Sequence, residues 1–331
     1  MRSASILYFI DGICFGMLLP LLPFVVLDAG GSPSLVTQLV AAFAIAGLVG
    51  RFLAGRLSDR WGRVDIILWS LLCSTLAYAA LTLWFMLLPL LFVFRIVVGL
   101  MAGREPVVQT LATDGLAPSE HVRVIGAITS AYAVGAALGP GVSSVLSLLV
   151  DPQLDHYRLV FAAATTLSFV SLVVVLLSLR SAEPPRTGSR QATVAVGRGL
   201  AMRQFRGMFL LNFLAALAYA PIISVTALYS NAAFGWSATE VGWLLVAVAI
   251  GIVLARVVLI PVGVKEFGDR KVLIACAAIA AAALLLAGRA NGAAGFSFAL
   301  IAASVAASGL NILALANVSR DCPLPHRGSV L

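Results

Sequence analysis

The sequence predicts an all-α membrane protein of about ten transmembrane helices, arranged as six plus four. Three observations carry this expectation. Hydrophobic residues fill 61% of the 331 positions and charged residues only 11%, with a mean hydropathy of +1.04. The apolar residues come in serial runs of about 20, the length that crosses a bilayer as helix. The runs are continuous rather than alternating, which speaks against barrel strands, and a helix satisfies its own backbone in lipid.

In chain order the runs lie near 5–27, 35–57, 64–83, 87–110, 123–149, 158–180, 205–230, 238–263, 271–288 and 293–316. Run 1 holds Asp11, Pro20 and Pro23, and no A-x-A cleavage site follows, so it reads as a retained helix rather than a signal peptide. An ionisable group inside a span is expensive. Asp11 therefore faces an aqueous cavity or a partner, or else sits at the interface, a turn or two inside the helix end. The two prolines free backbone groups, which is tolerated beside a cavity or a packed neighbour.

Runs 2 and 3 are joined by "GRLSDRWGR", residues 55–63, with three arginines, one aspartate and two glycines. Gly55 lets the end of run 2 pack closely, and Gly62 can take a positive φ. Asp59 beside Arg60 and Arg63 favours ion pairs, and its carboxylate can also face a helix N-terminus. Such contacts form in one conformation and break in another, which suggests a latch. The plainer alternative is a positive-inside turn.

Run 4 carries Arg95, with Gly99 and Gly103 following at i+4 and i+8. A face of arginine and glycines packs tightly or lines a pore. Run 5 carries "GAALGPGVSS", in which Gly135 and Gly139 have helix-packing spacing and Pro140 follows. Gln38, Gln109, Tyr132, Asn212, Tyr219 and Asn311 are further polar residues in the runs, each a satisfied packing group or a cavity liner. Arg256, near the inner end of run 8, is expected to snorkel to the interface. "FGDRKVLI", 267–274, echoes "WGRVDIIL", 61–68, with Lys265 standing where the first copy has Asp59. The chain thus reads as a six-helix half (1–180), a cytoplasmic linker (181–204) and a C-terminal part (205–331) of four helices.

Basic residues fix the orientation. Arg60, Arg63, Arg104, Arg123, six arginines from Arg180 to Arg206, Lys265, Arg270, Lys271, Arg320 and Arg327 fall on one side, and Arg158 and Arg289 on the other. Both termini are therefore expected in the cytoplasm, with the protein in the inner membrane. The net charge of +8 reflects this asymmetry and contact with anionic lipid, not nucleic-acid binding. Cys14, Cys73, Cys276 and Cys322 have neither metal nor disulfide spacing. Three histidines build no catalytic constellation, and no G-x-x-x-x-G-K-[ST] loop is present, so neither an enzyme nor an ATP-driven pump is expected. No cofactor is expected.

"GRLSDRWGRVDII", Gly55 to Ile67, resembles the loop 2–3 motif of the major facilitator superfamily, matching at Gly55, Leu57, Asp59, Arg60, Gly62 and Arg63 and departing at Val64. The resemblance implies a cytoplasmic gate in a transporter of two related six-helix halves. "DGICFGMLLPLLP" resembles the helix 1 motif of the drug–proton antiporters, including tetracycline-efflux proteins. "LFVFRIVVGLMAG" resembles the superfamily's helix 4 motif and implies that Arg95 influences proton transfer or substrate charge; the alternative is a structural donor to neighbouring carbonyls. "GAALGPGVSS" resembles the antiporter motif in helix 5, with Ser143 and Ser144 in place of its final glycines. "TDGLAPSEHVR" resembles the helix 4–5 link, with Asp114 and Arg123 as ion-pairing groups. Twelve spans are usual in the superfamily, so the sequence up to Leu331 reads as lacking the last two. A shortened gene product, a partial sequence and a ten-helix protein all fit that reading.

The function expected is a secondary transporter, a proton-coupled exporter of small amphipathic compounds working by alternating access. Asp11 carries the proton, Arg95 biases its release, and Gly55, Asp59, Arg60, Gly62 and Arg63 gate. Partners are a small-molecule substrate, protons and membrane lipids, and the protein acts as a monomer. A facilitator or uptake carrier on the same fold, and a non-transporting membrane fragment, are the alternatives.

Overall fold

The computed structural model describes residues 2–114, 116, 118–150, 153–179 and 225–321. These residues form α1 (Arg2–Asp28), α2 (Pro33–Trp61), α3 (Arg63–Trp84), α4 (Leu88–Met101), α5 (Arg104–Thr113), α6 (Pro118–Ser147) and α7 (Gln153–Leu179). There follow α8 (225–234), α9 (Ala238–Leu254), α10 (Ile260–Phe267), α11 (Asp269–Ala287) and α12 (Ala293–Asp321). No strand occurs among the described residues.

Eight helical stretches among the described residues are long and apolar enough to cross a membrane, against the ten expected. Run 7 falls largely outside the described residues, and so does the expected linker, 181–204. Run 4 is broken into α4 and α5. The cause is Pro106, which has no N–H for the carbonyl of Ala102 and crowds it. That carbonyl accepts from Glu105 N–H at 3.1 Å instead, and Gly103 N–H donates to the Leu100 carbonyl at 3.1 Å, so the chain tightens for one turn.

Two compact units divide the chain: Met1–Thr187 with Trp236–Val246, and Gly188–Gly235 with Ala247–Leu331. In the first, α1 packs on α6 and α7, α3 on α7 and α4, and α2 on α4. Leu7, Ile67, Leu71, Val108, Ile128 and Val175 form part of its core. Glycines set how closely the helices approach. A Cβ on Gly139 would lie 2.6 Å from Gly16 Cα, one on Gly135 would meet the Phe9 carbonyl, and one on Gly16 would lie 3.0 Å from Pro140 Cδ. Between α2 and α4, a Cβ on Gly99 would lie 2.6 Å from the Phe43 carbonyl, and one on Gly103 would meet the Gly50 carbonyl. The spacing read from the sequence is therefore a packing device in both places.

α2 and α3 meet at one residue, Gly62, and α10 and α11 meet at Gly268. Gly62 has φ 102° and ψ 149°, Gly268 φ 81° and ψ 156°. This region is open in practice only to glycine. Each glycine donates its N–H to the helix behind it, to Ser58 at 3.1 Å and Val264 at 3.0 Å, and its carbonyl accepts the first bond of the helix ahead. The internal repeat in the sequence is thus a repeated backbone joint.

In the second unit α11 packs on α12. α9 runs into α10 through a π turn, Ala255–Leu259, in which Ile260 N–H reaches back to the Ala255 carbonyl. Pro261 explains it: the ring cannot donate to Val257 and displaces that carbonyl, and the wider turn absorbs the misfit. Outward side chains such as Leu48, Leu177 and Phe298 are apolar and exposed, as lipid contact requires.

Candidate functional site

α1 carries Asp11 into the first unit, and the broken turn in the fourth span carries Arg104 to meet it. Arg104 Nη2 lies 2.7 Å from Asp11 Oδ1, and Arg104 Nε donates to Asp11 Oδ2 at 3.1 Å. The side chains are only 9% and 17% exposed, so the pair is largely out of water. Arg104 Nη1 donates to Ser74 Oγ on α3 at 3.2 Å and to the Met101 carbonyl at 3.1 Å. One guanidinium thus ties α1, α3 and the end of α4 together, with the fork geometry that suits arginine to a carboxylate. The next residue extends the tie. Glu105 Oε2 accepts from Arg51 Nη2 on α2 at 3.1 Å, and the Glu105 carbonyl accepts from Tyr8 Oη at 2.7 Å.

Arg104 was missed in the sequence, where it counted as a cytoplasmic flank of the 4–5 link. The signal was available: Arg104 and Glu105 fall inside run 4, so the argument that singles out Asp11 applies to them too.

Arg95 is not brought to Asp11. It is buried on α4, its guanidinium 5.3 Å from the centre of the Phe43 ring, and its Nε has no hydrogen-bond partner among the described residues. A buried cation over an aromatic face gains some electrostatic compensation. A row of rings spans the space between the two sites. Phe43 lies 6.1 Å from Phe15, Phe15 6.3 Å from Tyr132, and Tyr132 6.4 Å from Tyr8.

At the 2–3 turn the ion pair is Arg63 with Asp114, which joins the start of α3 to the end of α5. Asp59, Arg60 and Arg123 are exposed and form no ion pair with a described residue. Among the described residues nothing lies within 4 Å of a Cβ built on Gly55, so the close packing expected there is not seen. Ser143 and Ser144, which replace glycines of the antiporter motif, are buried. Ser144 Oγ donates to the Thr239 carbonyl at 3.0 Å, still within the first unit.

In the second unit Arg256 is exposed on the π turn that follows α9. Its Nε donates to Ser308 Oγ on α12 at 2.7 Å. A small apolar recess of about 170 Å³ lies between Val225, Tyr229, Leu284, Ala287, Phe296 and Leu300. Its Tyr229 and Phe296 rings are 5.0 Å apart. No group of three or more potential metal ligands occurs among the described residues. Asn212 and Tyr219 lie outside them.

Eight helices long and apolar enough to cross a membrane, with an ion pair buried among them, define a polytopic membrane protein. The family model of the Major Facilitator Superfamily matches residues 4–207 and 208–331, and the chain belongs to that superfamily. It is an integral membrane transporter, not an enzyme, and its superfamily carries small molecules. The chain is 25% identical to the class C tetracycline resistance protein of Escherichia coli, over 97% of this chain and 81% of that protein. It is 27% identical to multidrug resistance protein 1 of Bacillus subtilis (strain 168), over 79% of this chain and 66% of that protein. Two solved structures share the fold over 99% of the chain. They are the nucleoside transporter NupG (TM-score 0.72, 14% identity, 84% of that chain) and a D-xylose–proton symporter (TM-score 0.74, 18% identity, 83% of that chain).

Proposed function

We propose that the chain is a proton-coupled exporter of small amphipathic compounds that works by alternating access. The observation that carries this reading is the Asp11–Arg104 pair. Asp11 is a carboxylate inside a membrane-spanning helix, held at two points by a buried arginine. Similarity to tetracycline- and multidrug-resistance proteins supports export, and the row of rings from Tyr8 to Phe43 suits the apolar part of a cargo.

The pair suggests how a proton acts on the fold. Charged Asp11 accepts both hydrogen bonds from Arg104. A proton added to one carboxylate oxygen removes the negative charge and one of the two acceptors, leaving Arg104 a buried cation held only by neutral groups: the other Asp11 oxygen, Ser74 and the Met101 carbonyl. An uncompensated buried charge costs about 3–5 kcal/mol, so the protonated state favours an arrangement that moves Arg104 toward water or another anion. Arg104 stands at the Pro106 break, so the fourth span is where such a movement begins. Arg95, one span element away over Phe43, biases proton release through its charge. Gly62 and the Arg63–Asp114 pair, with Asp59 and Arg60 beside them, shape the cytoplasmic gate.

In this reading the protein is a monomer in the cytoplasmic membrane, with residues 181–204 as an inner linker between halves and both termini inside. Reconstitution into vesicles with an imposed pH gradient tests it, using a panel of dyes and antibiotics. Uphill movement of a cargo that collapses with the gradient supports the reading. Flux indifferent to the gradient for every cargo moved refutes proton coupling.

A further inference from the structure

In the second unit an exposed cation, Arg256, lies inside a span and forms no ion pair with a described residue. From residue 184 to the C-terminus the sequence holds four acids: Glu240, Glu266, Asp269 and Asp321. Every one lies in the first or last turn of a helix. Glu240 is already used at its own helix start, where its Oε2 accepts from Ser237 N–H at 2.6 Å and from Ser237 Oγ at 2.9 Å. Arg256 lies ten residues before Glu266, roughly 15 Å along the helix. Its Nε is committed to Ser308, and neither Nη1 nor Nη2 bonds a described residue.

The arrangement around this pair is built closely. Ser308 is 6% exposed. Gly251 lets α9 approach α12, since a Cβ there would lie 3.0 Å from Val305 and 3.3 Å from Ile301. Gly309, next to Ser308, does the same from the other side, where a Cβ would lie 2.8 Å from Cys276 Sγ and 3.3 Å from Ile260. The π turn that holds Arg256 continues into Val257, Val258 and Leu259, all exposed. Ser308 Oγ accepts from Arg256 and keeps its own proton to donate. The pair therefore offers guanidinium N–H donors that no described residue takes up, a hydroxyl donor and a full positive charge, beside an apolar surface.

We propose that Arg256 and Ser308 bind the oxyanion of an amphipathic anion, a carboxylate or phosphate on an apolar body. The site stands on its own geometry; its assignment to cargo rests on the exporter reading. An anionic cargo and the phosphate of an anionic phospholipid share this chemistry, and the test separates them.

The test compares binding of a fluorescent long-chain carboxylate with its uncharged methyl ester. The full chain is reconstituted in phosphatidylcholine with no pH gradient. The ester controls for partition into the bilayer. Wild-type protein is expected to bind the carboxylate about tenfold or more tightly than the ester, as a charge-assisted hydrogen bond implies. Arg256→Gln should erase the preference, Ser308→Ala should weaken it, and Arg256→Lys should keep part of it. Arg289→Gln, two residues past the end of α11, should leave it unchanged. Repeating the titration with phosphatidylglycerol in the bilayer identifies the occupant. Loss of the preference assigns the site to a lipid headgroup, and its persistence assigns it to a cargo anion. Equal binding of acid and ester by the wild type would overturn the proposal, and so would a preference that survives Arg256→Gln. Because binding is read without a gradient, a failure of proton-coupled flux would sink the exporter reading and leave this result standing.

Discussion

Arg104 grips Asp11 at two points, Nη2 to Oδ1 at 2.7 Å and Nε to Oδ2 at 3.1 Å, from the one turn where Pro106 breaks the fourth span. An arginine and an aspartate 93 positions apart in the chain thus form one unit at the break in a helix.

Removing one partner should be worse than removing both. Arg104→Gln leaves Asp11 charged and poorly compensated, with an expected cost of about 3–5 kcal/mol. Asp11→Asn combined with Arg104→Gln should recover a large part of that loss. Thermal unfolding of the purified variants in detergent measures it. Additive losses in the double variant would show that the two side chains act independently.

The glycines should sort by what surrounds them. Gly103→Val drives a side chain into the Gly50 carbonyl and should destabilise the α2–α4 contact by about 1–3 kcal/mol. Gly55→Ala meets no described atom and sits inside a helix, so it should be neutral or stabilise by about 0.5–1 kcal/mol. Melting temperatures of the two variants decide, and a reversed order would contradict the packing described here.

Gly62→Ala and Gly268→Ala place a Cβ at positive φ in a region natural to glycine alone. Each should cost about 1–3 kcal/mol. Equal losses at both joints would show the two copies doing the same backbone work. Unchanged melting in either would mean that its joint relaxes without strain.

At the cytoplasmic turn the weight should fall on Asp114 rather than Asp59. Asp114→Asn breaks the half-buried pair with Arg63 and should lower stability by up to about 1 kcal/mol, while Asp59→Asn, exposed and without an ion-pair partner among the described residues, should change little. A larger effect at Asp59 would reveal a partner made in another conformation.

Topology is open to a direct check. A cysteine introduced by Ser189→Cys in the 181–204 linker should resist membrane-impermeant thiol reagents in intact cells, because the basic residues cluster on that side. Rapid labelling from outside would invert the orientation.

Most of the fold was legible in the sequence because bilayer thickness imposes run length, and run length is visible without knowing any contact. Gly62 was legible because positive φ leaves few residues to choose from, and Gly268 because the repeat at 267–274 aligns it with Gly62. Gly99, Gly103, Gly135 and Gly139 were legible as a spacing, although only coordinates show that they meet Gly50, Phe9 and Gly16. Arg104 was hidden by a rule that usually works. Arginines near loops mark the cytoplasmic face, and Arg104 was counted with them although its place inside run 4 set it apart. Its partner lies 93 positions away, and a pairing between helices leaves no periodic signature. Arg256 was read as a cation that snorkels, and nothing in the sequence pointed to Ser308, 52 positions on, as the partner of its Nε.

The central claim is that Asp11 carries the coupling proton. Its most direct test is proton release on cargo binding, set beside gradient-driven flux, in vesicles holding wild-type protein or Asp11→Asn. The wild type should concentrate cargo against its gradient and release a proton when cargo binds. Asp11→Asn should insert normally, bind cargo, release no proton and move cargo only downhill. Uphill transport retained in Asp11→Asn would remove Asp11 from the mechanism and leave its pair with Arg104 as a structural tie.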